Sequence, residues 1–282
     1  MNETAPIIVL PGAGGGTPDL AGFRAGFSQP PRFEILGYPG WRRYVDTEFS
    51  FQSLIADLSR QIEILIPNGP VRIIGISIGA HIGYATAVRL QAAGRNISGF
   101  CAVDAFMVHS AAPMPGWLAR AIELSSRLIR ENRIGDFAKF IRSRLWRAVL
   151  RLSQDRLVGI LRRAAAQPGC LQHILAIDSL FEHELSMRLL IRSIAPAIAA
   201  LDHESTALRT SAVLLRTGLT AHSDEGWRRR CPKLKIIQIP GNHETMLEPQ
   251  NVAAFRVAFG EATRNWQSND QEADAKTSCY HA

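Results

Sequence analysis

The stretch Gly75-Ile76-Ser77-Ile78-Gly79 carries most of the information about the fold of this chain. It reads G-x-S-x-G and lies between an apolar run at residues 71–74 and a helix-like segment at 80–93. A strand, a sharp turn and a helix in this order expose a nucleophilic serine above the edge of a sheet. The glycines let the strand and the helix approach each other, and the helix directs its positive end toward the serine. The pattern therefore predicts that Ser77 is a nucleophile rather than part of a plain tight turn.

Apolar runs bounded by turn residues recur along the chain and alternate with helix-like segments. Several runs are continuous, as strands buried on both faces should be. This alternation predicts a mostly parallel sheet with helices on both faces, and a site along the edge where the strands end. The predicted strands are 7–10, 33–37, 71–76, 97–103, 212–216 and 234–239, and the predicted helices among them are 49–65, 80–93 and 249–259.

A long segment with helical periodicity interrupts this alternation. Apolar residues recur at helical spacing at Leu118, Ile122 and Ile129, and again between Phe137 and Val149. The segment shows no strand pattern and is too long for an ordinary connection. We therefore predict a sheet domain formed by residues 1–105 and 208–262, a helical lid inserted at 106–207, and a polar, disordered tail at 263–282.

The composition is typical of a soluble globular protein, with 46% hydrophobic and 20% charged residues. The chain has no apolar run of membrane-spanning length, no signal-peptide pattern at its N-terminus and no metal-ligand spacing among its four cysteines. We therefore expect a cytoplasmic protein with reduced thiols, no membrane span and no metal.

The chain is basic, with a net charge of +7, and 28 of its 32 basic residues are Arg. This charge suits an electropositive surface for an acidic partner or a phosphate, but it also suits an ordinary solvated helix face. Because no aromatic platform accompanies the charge, we do not expect nucleic-acid binding.

A serine nucleophile needs a base to take its proton and an acid to orient that base. The best candidate for the base is His243, which directly follows Pro240-Gly241-Asn242 after the last predicted strand. Two carboxylates are candidates for the acid. Asp104 ends one predicted strand, and Asp224 lies in the loop after another. Because a carboxylate at the end of either strand can reach the imidazole, the sequence geometry leaves both open.

The reaction also needs backbone N–H groups that stabilise an oxyanion. One is expected from Ile78, the residue after the nucleophile. The other is expected from Ala13, in the glycine-rich loop that follows the first predicted strand. That loop lacks the Gly-Lys-Ser/Thr ending of a phosphate-binding loop, so we favour the oxyanion role.

Together these motifs resemble the thioesterase domains that end polyketide and non-ribosomal peptide synthetases, and their stand-alone relatives. The resemblance implies an α/β-hydrolase fold with a helical lid, and an acid that ends the strand after the one leading to the serine. The step from Ser77 to Asp104 is 27 residues, so the resemblance favours Asp104 over Asp224. The shared residues are 9–15, 75–79, 103–104 and 240–247, with departures at Ile76, Ala80 and Asn242.

The resemblance also implies a function. Ser77, Asp104 and His243 would form a catalytic triad that takes an acyl group from a thioester. The thioester would belong to the phosphopantetheine arm of an acyl or peptidyl carrier protein, or to coenzyme A, and the enzyme would need no cofactor. Arginines of the insertion would suit an acidic carrier or the phosphate of its arm, among them Arg142, Arg144 and Arg147.

Several alternatives stay open at this point. The acyl group would pass to water, or in an acyltransferase or cyclase to a hydroxyl or amine. A general carboxylester hydrolase and a non-catalytic acyl-binding protein are the other two readings. The sequence specifies neither the acyl chain nor the oligomeric state.

Overall fold

The computed structural model describes residues 6–13, 23, 31–105, 117–166, 179–201, 203, 206–218, 224–243, 245–264 and 266. Within these residues, six strands form one sheet. They are β1 (Ile7–Leu10), β2 (Phe33–Ile35), β3 (Val71–Ile76), β4 (Ile97–Val103), β5 (Ala212–Thr217) and β6 (Leu234–Ile239). Their order across the sheet is β2-β1-β3-β4-β5-β6, and every neighbouring pair is parallel. The parallel sheet predicted from the sequence is therefore confirmed.

Helices connect and flank the strands. The described helices are α1 (Trp41–Tyr44), α2 (Phe51–Leu65), α3 (Ile78–Ala92), α4 (Trp117–Arg130), α5 (Ile134–Ala165), α6 (Ser179–Leu201), α7 (Glu225–Arg230) and α8 (Pro249–Thr263). The predicted strands differ from the observed ones only at two ends, since β2 stops two residues earlier and β5 continues to Thr217. No helix in the described ranges is long and apolar enough to cross a membrane.

The centre of the sheet is buried on both faces, which explains why its strands are continuous apolar runs. All seven residues of β4 are buried, as are the first five of β3. Helix α3 packs closely on this centre, because a Cβ at Gly83 would lie 3.2 Å from the Ile73 side chain and 3.3 Å from that of Leu10. The strand ends that follow this packed centre are held rigidly at one edge.

A tryptophan beyond the last helix completes the core. Trp266 is only 4% exposed and belongs to the same cluster as Phe255 and Phe259 of α8. A Cβ at Gly99 in β4 would lie 2.3 Å from the Trp266 ring, so the indole fills the space above this glycine. The predicted disordered tail is therefore wrong at Trp266, because a large apolar side chain there closes the core. Residues 267–282 of the predicted tail lie outside the described residues.

The chain divides into two compact units. The first contains Met1–Tyr38, Phe51–Ser110 and Ala197–Ala282, and the second contains Pro39–Ser50 and Ala111–Pro196. The first unit carries the sheet. Its described cysteines, Cys101 and Cys231, are buried free thiols.

Every secondary-structure element described in the second unit is a helix. Helices α5 and α6 pack through Trp146 and Phe181, whose ring centroids are 4.5 Å apart. The Arg162 side chain of α5 donates a hydrogen bond of 2.9 Å to the carbonyl of Val45, which ties residues 39–50 to this unit. Residues 39–50 fall in the sheet domain predicted from the sequence, because local periodicity carries no signal for this distant contact. The lid boundaries remain a prediction.

Candidate active site

Ser77 stands at the turn between β3 and α3, in a strained backbone conformation. Its φ is 56° and its ψ is −123°, a combination that costs a non-glycine residue about 1–3 kcal/mol. The surrounding backbone holds it there. The Ser77 amide donates a 2.8 Å hydrogen bond to the Val103 carbonyl of β4, and the Ser77 carbonyl accepts one of 3.0 Å from Ala80. The serine is therefore fixed where a strand ends and a helix begins, as the sequence motif predicts.

The two glycines of the motif are required by close backbone contacts. A Cβ at Gly75 would lie 2.3 Å from the Cα of Ala80, and a Cβ at Gly79 would lie 2.3 Å from the carbonyl oxygens of Leu10 and Pro11. Such distances are far shorter than any van der Waals contact. Strand β3, helix α3 and the end of β1 can therefore meet only because both positions lack a side chain.

Asp104 and His243 are in direct contact. Asp104 follows β4 with a φ of 46°, and its side chain is completely buried. His243 Nδ1 donates to Asp104 Oδ2 over 2.8 Å, across 139 residues of sequence. With Nδ1 held by the carboxylate, Nε2 is the basic nitrogen of the ring. The structure thus brings together the base and the acid that the resemblance favours.

The alternative acid, Asp224, has a different partner. Both of its carboxylate oxygens accept hydrogen bonds from Arg216 Nη1, at 2.8 and 2.7 Å. It lies at the start of α7, where it precedes Glu225. Of the two carboxylates left open by the sequence, the one that contacts His243 is Asp104.

Thr217 anchors the other oxygen of the same carboxylate. Asp104 Oδ1 accepts a hydrogen bond of 3.0 Å from the Thr217 amide and one of 2.9 Å from its hydroxyl. Burial raises the pKa of Asp104, but the hydrogen bonds from His243 and Thr217 outweigh it, so the pKa lies below its usual value. Asp104 is therefore held as a carboxylate inside the protein.

Sequence reasoning missed Thr217. It is the last residue of β5, which pairs with β4. The sequence does show a residue with a hydroxyl group directly after a predicted strand. That this strand lies beside β4, in a register that brings Thr217 to Asp104, is known only from the structure. Trp227 of α7 was also missed, because its contact spans 122 residues of sequence. Its Nε1 donates a 3.0 Å hydrogen bond to the carbonyl of Ala105, the residue after Asp104.

A compact turn presents His243. Gly241 has a φ of 83°, which a side chain would strain. The Asn242 amide donates to Thr245 Oγ1 over 3.0 Å, and the Thr245 amide donates to Asn242 Oδ1 over 3.1 Å. The asparagine that replaces the usual aspartate of this motif supplies the same acceptor oxygen, so the substitution leaves the turn intact.

The expected oxyanion donors flank the serine. Ile78 is the first residue of α3, where amides are not paired within the helix. Ala13 lies in the loop after β1, and a Cβ on its neighbour Gly12 would lie 3.7 Å from the Cβ of Ser77. The Tyr38 hydroxyl donates a 2.7 Å hydrogen bond to the Pro11 carbonyl in the same loop. This proximity is consistent with the oxyanion role, which remains a prediction.

Among the described side chains, no cluster of His, Cys, Asp or Glu is arranged to hold a metal ion. The side chains that follow the strands at this edge of the sheet include the Ser77 hydroxyl and the His243 imidazole, which is paired with the buried Asp104 carboxylate. In serine hydrolases, groups of these three types act as nucleophile, base and orienting acid.

Comparisons with known proteins point to one family. A family model described as the thioesterase domain matches residues 5–259 of the chain. No curated protein sequence matches it significantly.

Solved structures of thioesterase domains share the fold. The NocB thioesterase domain, in covalent complex with a fluorophosphonate nocardicin G analog, is 20% identical, with 92% of this chain and 95% of that chain covered at a TM-score of 0.55. The Vlm2 thioesterase domain, bound with a dodecadepsipeptide, is 18% identical, with coverages of 92% and 93% and a TM-score of 0.55. The SrfTE thioesterase domain, described for cyclization of surfactin, is 14% identical, with coverages of 92% and 91% and a TM-score of 0.53. The predicted α/β-hydrolase fold is confirmed.

Proposed function

The chain belongs to the thioesterase domain family, and we propose that it releases acyl groups from thioesters through an acyl-enzyme on Ser77. The observation that carries this proposal is the 2.8 Å contact between His243 and the buried Asp104. Both residues follow strands of the sheet whose β3 leads into Ser77. The proposed nucleophile, base and acid thus all follow strands at the same edge of this sheet.

The reaction proceeds in two steps. Ser77 Oγ attacks the thioester carbonyl carbon while His243 Nε2 takes the hydroxyl proton, and Asp104 stabilises the resulting imidazolium. Amides of Ala13 and Ile78 hold the oxyanion. The C–S bond then breaks, and the imidazolium gives its proton to the departing thiol. In the second step His243 takes a proton from water as the water oxygen attacks the ester carbonyl. The bond between Ser77 Oγ and the acyl carbon then breaks, the imidazolium returns the proton to Oγ, and a carboxylic acid leaves.

The proposed substrate is an acyl, peptidyl or polyketide chain on the phosphopantetheine of a carrier protein, with coenzyme A thioesters as the simpler form. Support comes from the fold, which is that of solved thioesterase domains. The chain also matches the structure of a four-domain nonribosomal peptide synthetase, of which it covers 19%. The second compact unit is proposed to act as the lid. If the acceptor is a hydroxyl or amine of the substrate instead of water, the same first step leads to transfer or cyclisation.

Trapping of the acyl-enzyme tests the proposal. Intact-mass measurement after mixing with acyl-carrier thioesters should show the protein plus one acyl group, and Ser77→Ala should show none.

Asp104→Asn should lower kcat by about 10⁴-fold, because the imidazole loses its orienting charge. The matched control is Asp224→Asn, whose carboxylate pairs with Arg216 and which should keep kcat within about twofold.

Other results would contradict the proposal in distinct ways. Faster turnover of matched oxygen esters than of thioesters would indicate a general carboxylester hydrolase. If a fluorophosphonate probe failed to label Ser77 in the folded protein, the protein would be a non-catalytic acyl-binding protein. Loss of activity in Asp224→Asn but not in Asp104→Asn would reassign the acid.

A further inference from the structure

The positive charge of the molecule is concentrated in one of its two compact units. The second unit, Pro39–Ser50 with Ala111–Pro196, contains 16 basic and 9 acidic residues and so carries a formal charge of +7. The rest of the chain contains 16 basic and 16 acidic residues and is formally neutral. The whole net charge therefore belongs to the helical unit. Such a field attracts acidic partners and speeds their association.

A groove lies between α5 and α6 of this unit. Its volume is about 410 Å³. Part of its lining is apolar, formed by Leu150 of α5 together with Met187 and Ile191 of α6. Leu150 is buried, whereas Ile191 is 40% exposed. The remaining lining residues are charged, and they are Arg147, Glu184, Arg188 and Arg192.

The described lining of the groove contains three arginines and one glutamate, so its formal charge is +2. Glu184 is only 3% exposed and accepts hydrogen bonds from Arg147 Nε at 2.7 Å and from Ser143 Oγ at 2.5 Å. This pair joins the buried Glu184 of α6 to the partly exposed Arg147 of α5. Arg188 and Arg192, both on α6, supply the other positive charges of the lining.

The structure also separates the arginines that the sequence analysis grouped together. Arg147 is committed to Glu184, and the guanidinium of Arg144 stacks over the Phe140 ring at 5.0 Å. Arg188 and Arg192 were not recognised from the sequence, because only the packing of α5 on α6 shows that they line one groove.

We propose that this groove binds an acidic amphipathic helix of the protein that presents the acyl thioester. The inference rests on the proposed function. Met187 and Ile191 are four residues apart on α6, and so are Arg188 and Arg192, which gives an apolar row beside a basic row. A helix with an apolar face and a flanking row of Asp or Glu matches both rows. A second copy of this chain does not match, because its own helical unit is equally basic.

Charge reversal of the basic row is the closing experiment. The two substrates carry the same octanoyl group, one on an acidic phosphopantetheine carrier protein and one on N-acetylcysteamine. Arg188→Glu/Arg192→Glu should raise KM for the carrier-bound substrate about tenfold or more, since like charges then face each other. Its kcat, and both constants for the small thioester, should stay unchanged.

The chain offers a matched control. Arg60 and Arg89 line a groove of about 400 Å³ in the first unit, beside α2 and α3. Arg60→Glu/Arg89→Glu changes the net charge by the same amount, and it should leave KM for the carrier-bound substrate within about twofold. A second variant, Ile191→Gln, tests the apolar row without a change of charge and should also raise KM for the carrier-bound substrate alone.

Each outcome has one meaning. If both charge-reversal variants raise KM equally, the effect is general electrostatic attraction and the groove is not the docking site. If the groove variant raises KM for the small thioester as well, the groove binds the acyl arm and the proposed partner helix is wrong. Unchanged KM in the groove variant overturns the inference but leaves the proposed function intact. Turnover of the small thioester by Ser77→Ala would instead overturn the proposed function.

Discussion

Asp104 keeps its charge inside the protein because three hydrogen bonds replace the water it has lost. Two of them come from Thr217 and one from His243. A buried carboxylate without such partners would be strongly destabilising. The Thr217 hydroxyl is the one of these donors that can be removed without altering the backbone or the proposed base, and it therefore provides a clean test of how the acid is held.

Thr217→Val should lower the free energy of unfolding by about 1.5–3 kcal/mol near neutral pH, because a buried carboxylate loses a hydrogen bond. The pKa of Asp104 is lowered in the fold, so this stabilisation is present above the ordinary aspartate pKa of about 3.9 and is lost as the pH falls through the folded pKa. Urea denaturation at several pH values measures both effects. Thr217→Ser should restore most of the loss, and a pH-independent loss would assign it to packing alone.

Single residues of the candidate site were predictable to different degrees. Ser77 and His243 could be located because each sits in a local motif that follows an apolar run. Asp104 could not be separated from Asp224 by spacing, since both follow predicted strands, and only the family resemblance favoured it. The role of Thr217 could not be predicted, because its contact with Asp104 spans 113 residues and depends on the register of two strands.

At the scale of elements, the turn between β3 and α3 is limited by backbone contacts. Gly79 packs directly on the carbonyl groups of Leu10 and Pro11 at the end of β1. This contact limits how close α3 can lie to the sheet. The boundaries of β3, β4 and β6 could be read from apolar runs, because these strands are bounded by turn residues. The start of α3 at Ile78 was placed two residues late, since periodicity does not show where a strained turn becomes helical.

Gly79→Ala should destabilise the protein by at least about 3 kcal/mol, because its Cβ would lie 2.3 Å from two carbonyl oxygens that cannot move without shifting β1. Thermal unfolding followed by circular dichroism measures the loss. Gly260→Ala in α8 is the control, since a Cβ there meets nothing within 4 Å and should add about 0.5–1 kcal/mol of stability. Equal stabilisation of both variants would contradict the packing described for α3.

At the scale of the whole molecule, the sheet domain is closed by a side chain that follows its last helix. Trp266 packs on Gly99 in the middle of β4 and joins the aromatic cluster of α8. Composition suggested a polar tail here, because one tryptophan among polar residues has no periodic pattern around it. The burial of this indole depends on the assembled sheet and therefore could not be read from the local sequence.

Trp266→Ala should lower the free energy of unfolding by about 3–5 kcal/mol, since it leaves a cavity above the central strand. Chemical denaturation monitored by far-ultraviolet circular dichroism provides the measurement. Val257→Ala is the comparison, because Val257 is 73% exposed on α8 and its truncation should cost less than about 0.5 kcal/mol. A loss at Trp266 no larger than that at Val257 would contradict its role in the core.

The hydrogen bonds around Asp104 also determine at what point in synthesis the proposed active site can form. Ser77 and Asp104 are made early, but Thr217 and His243 follow only after the helical unit has been synthesised. Pairing β5 with β4 must close this long loop, which makes it a late event in folding. A partly made chain therefore holds Ser77 without the proposed base, His243. Under the proposed mechanism, we expect the serine to react with thioesters only once residue 243 has left the ribosome and the two halves of the sheet have joined.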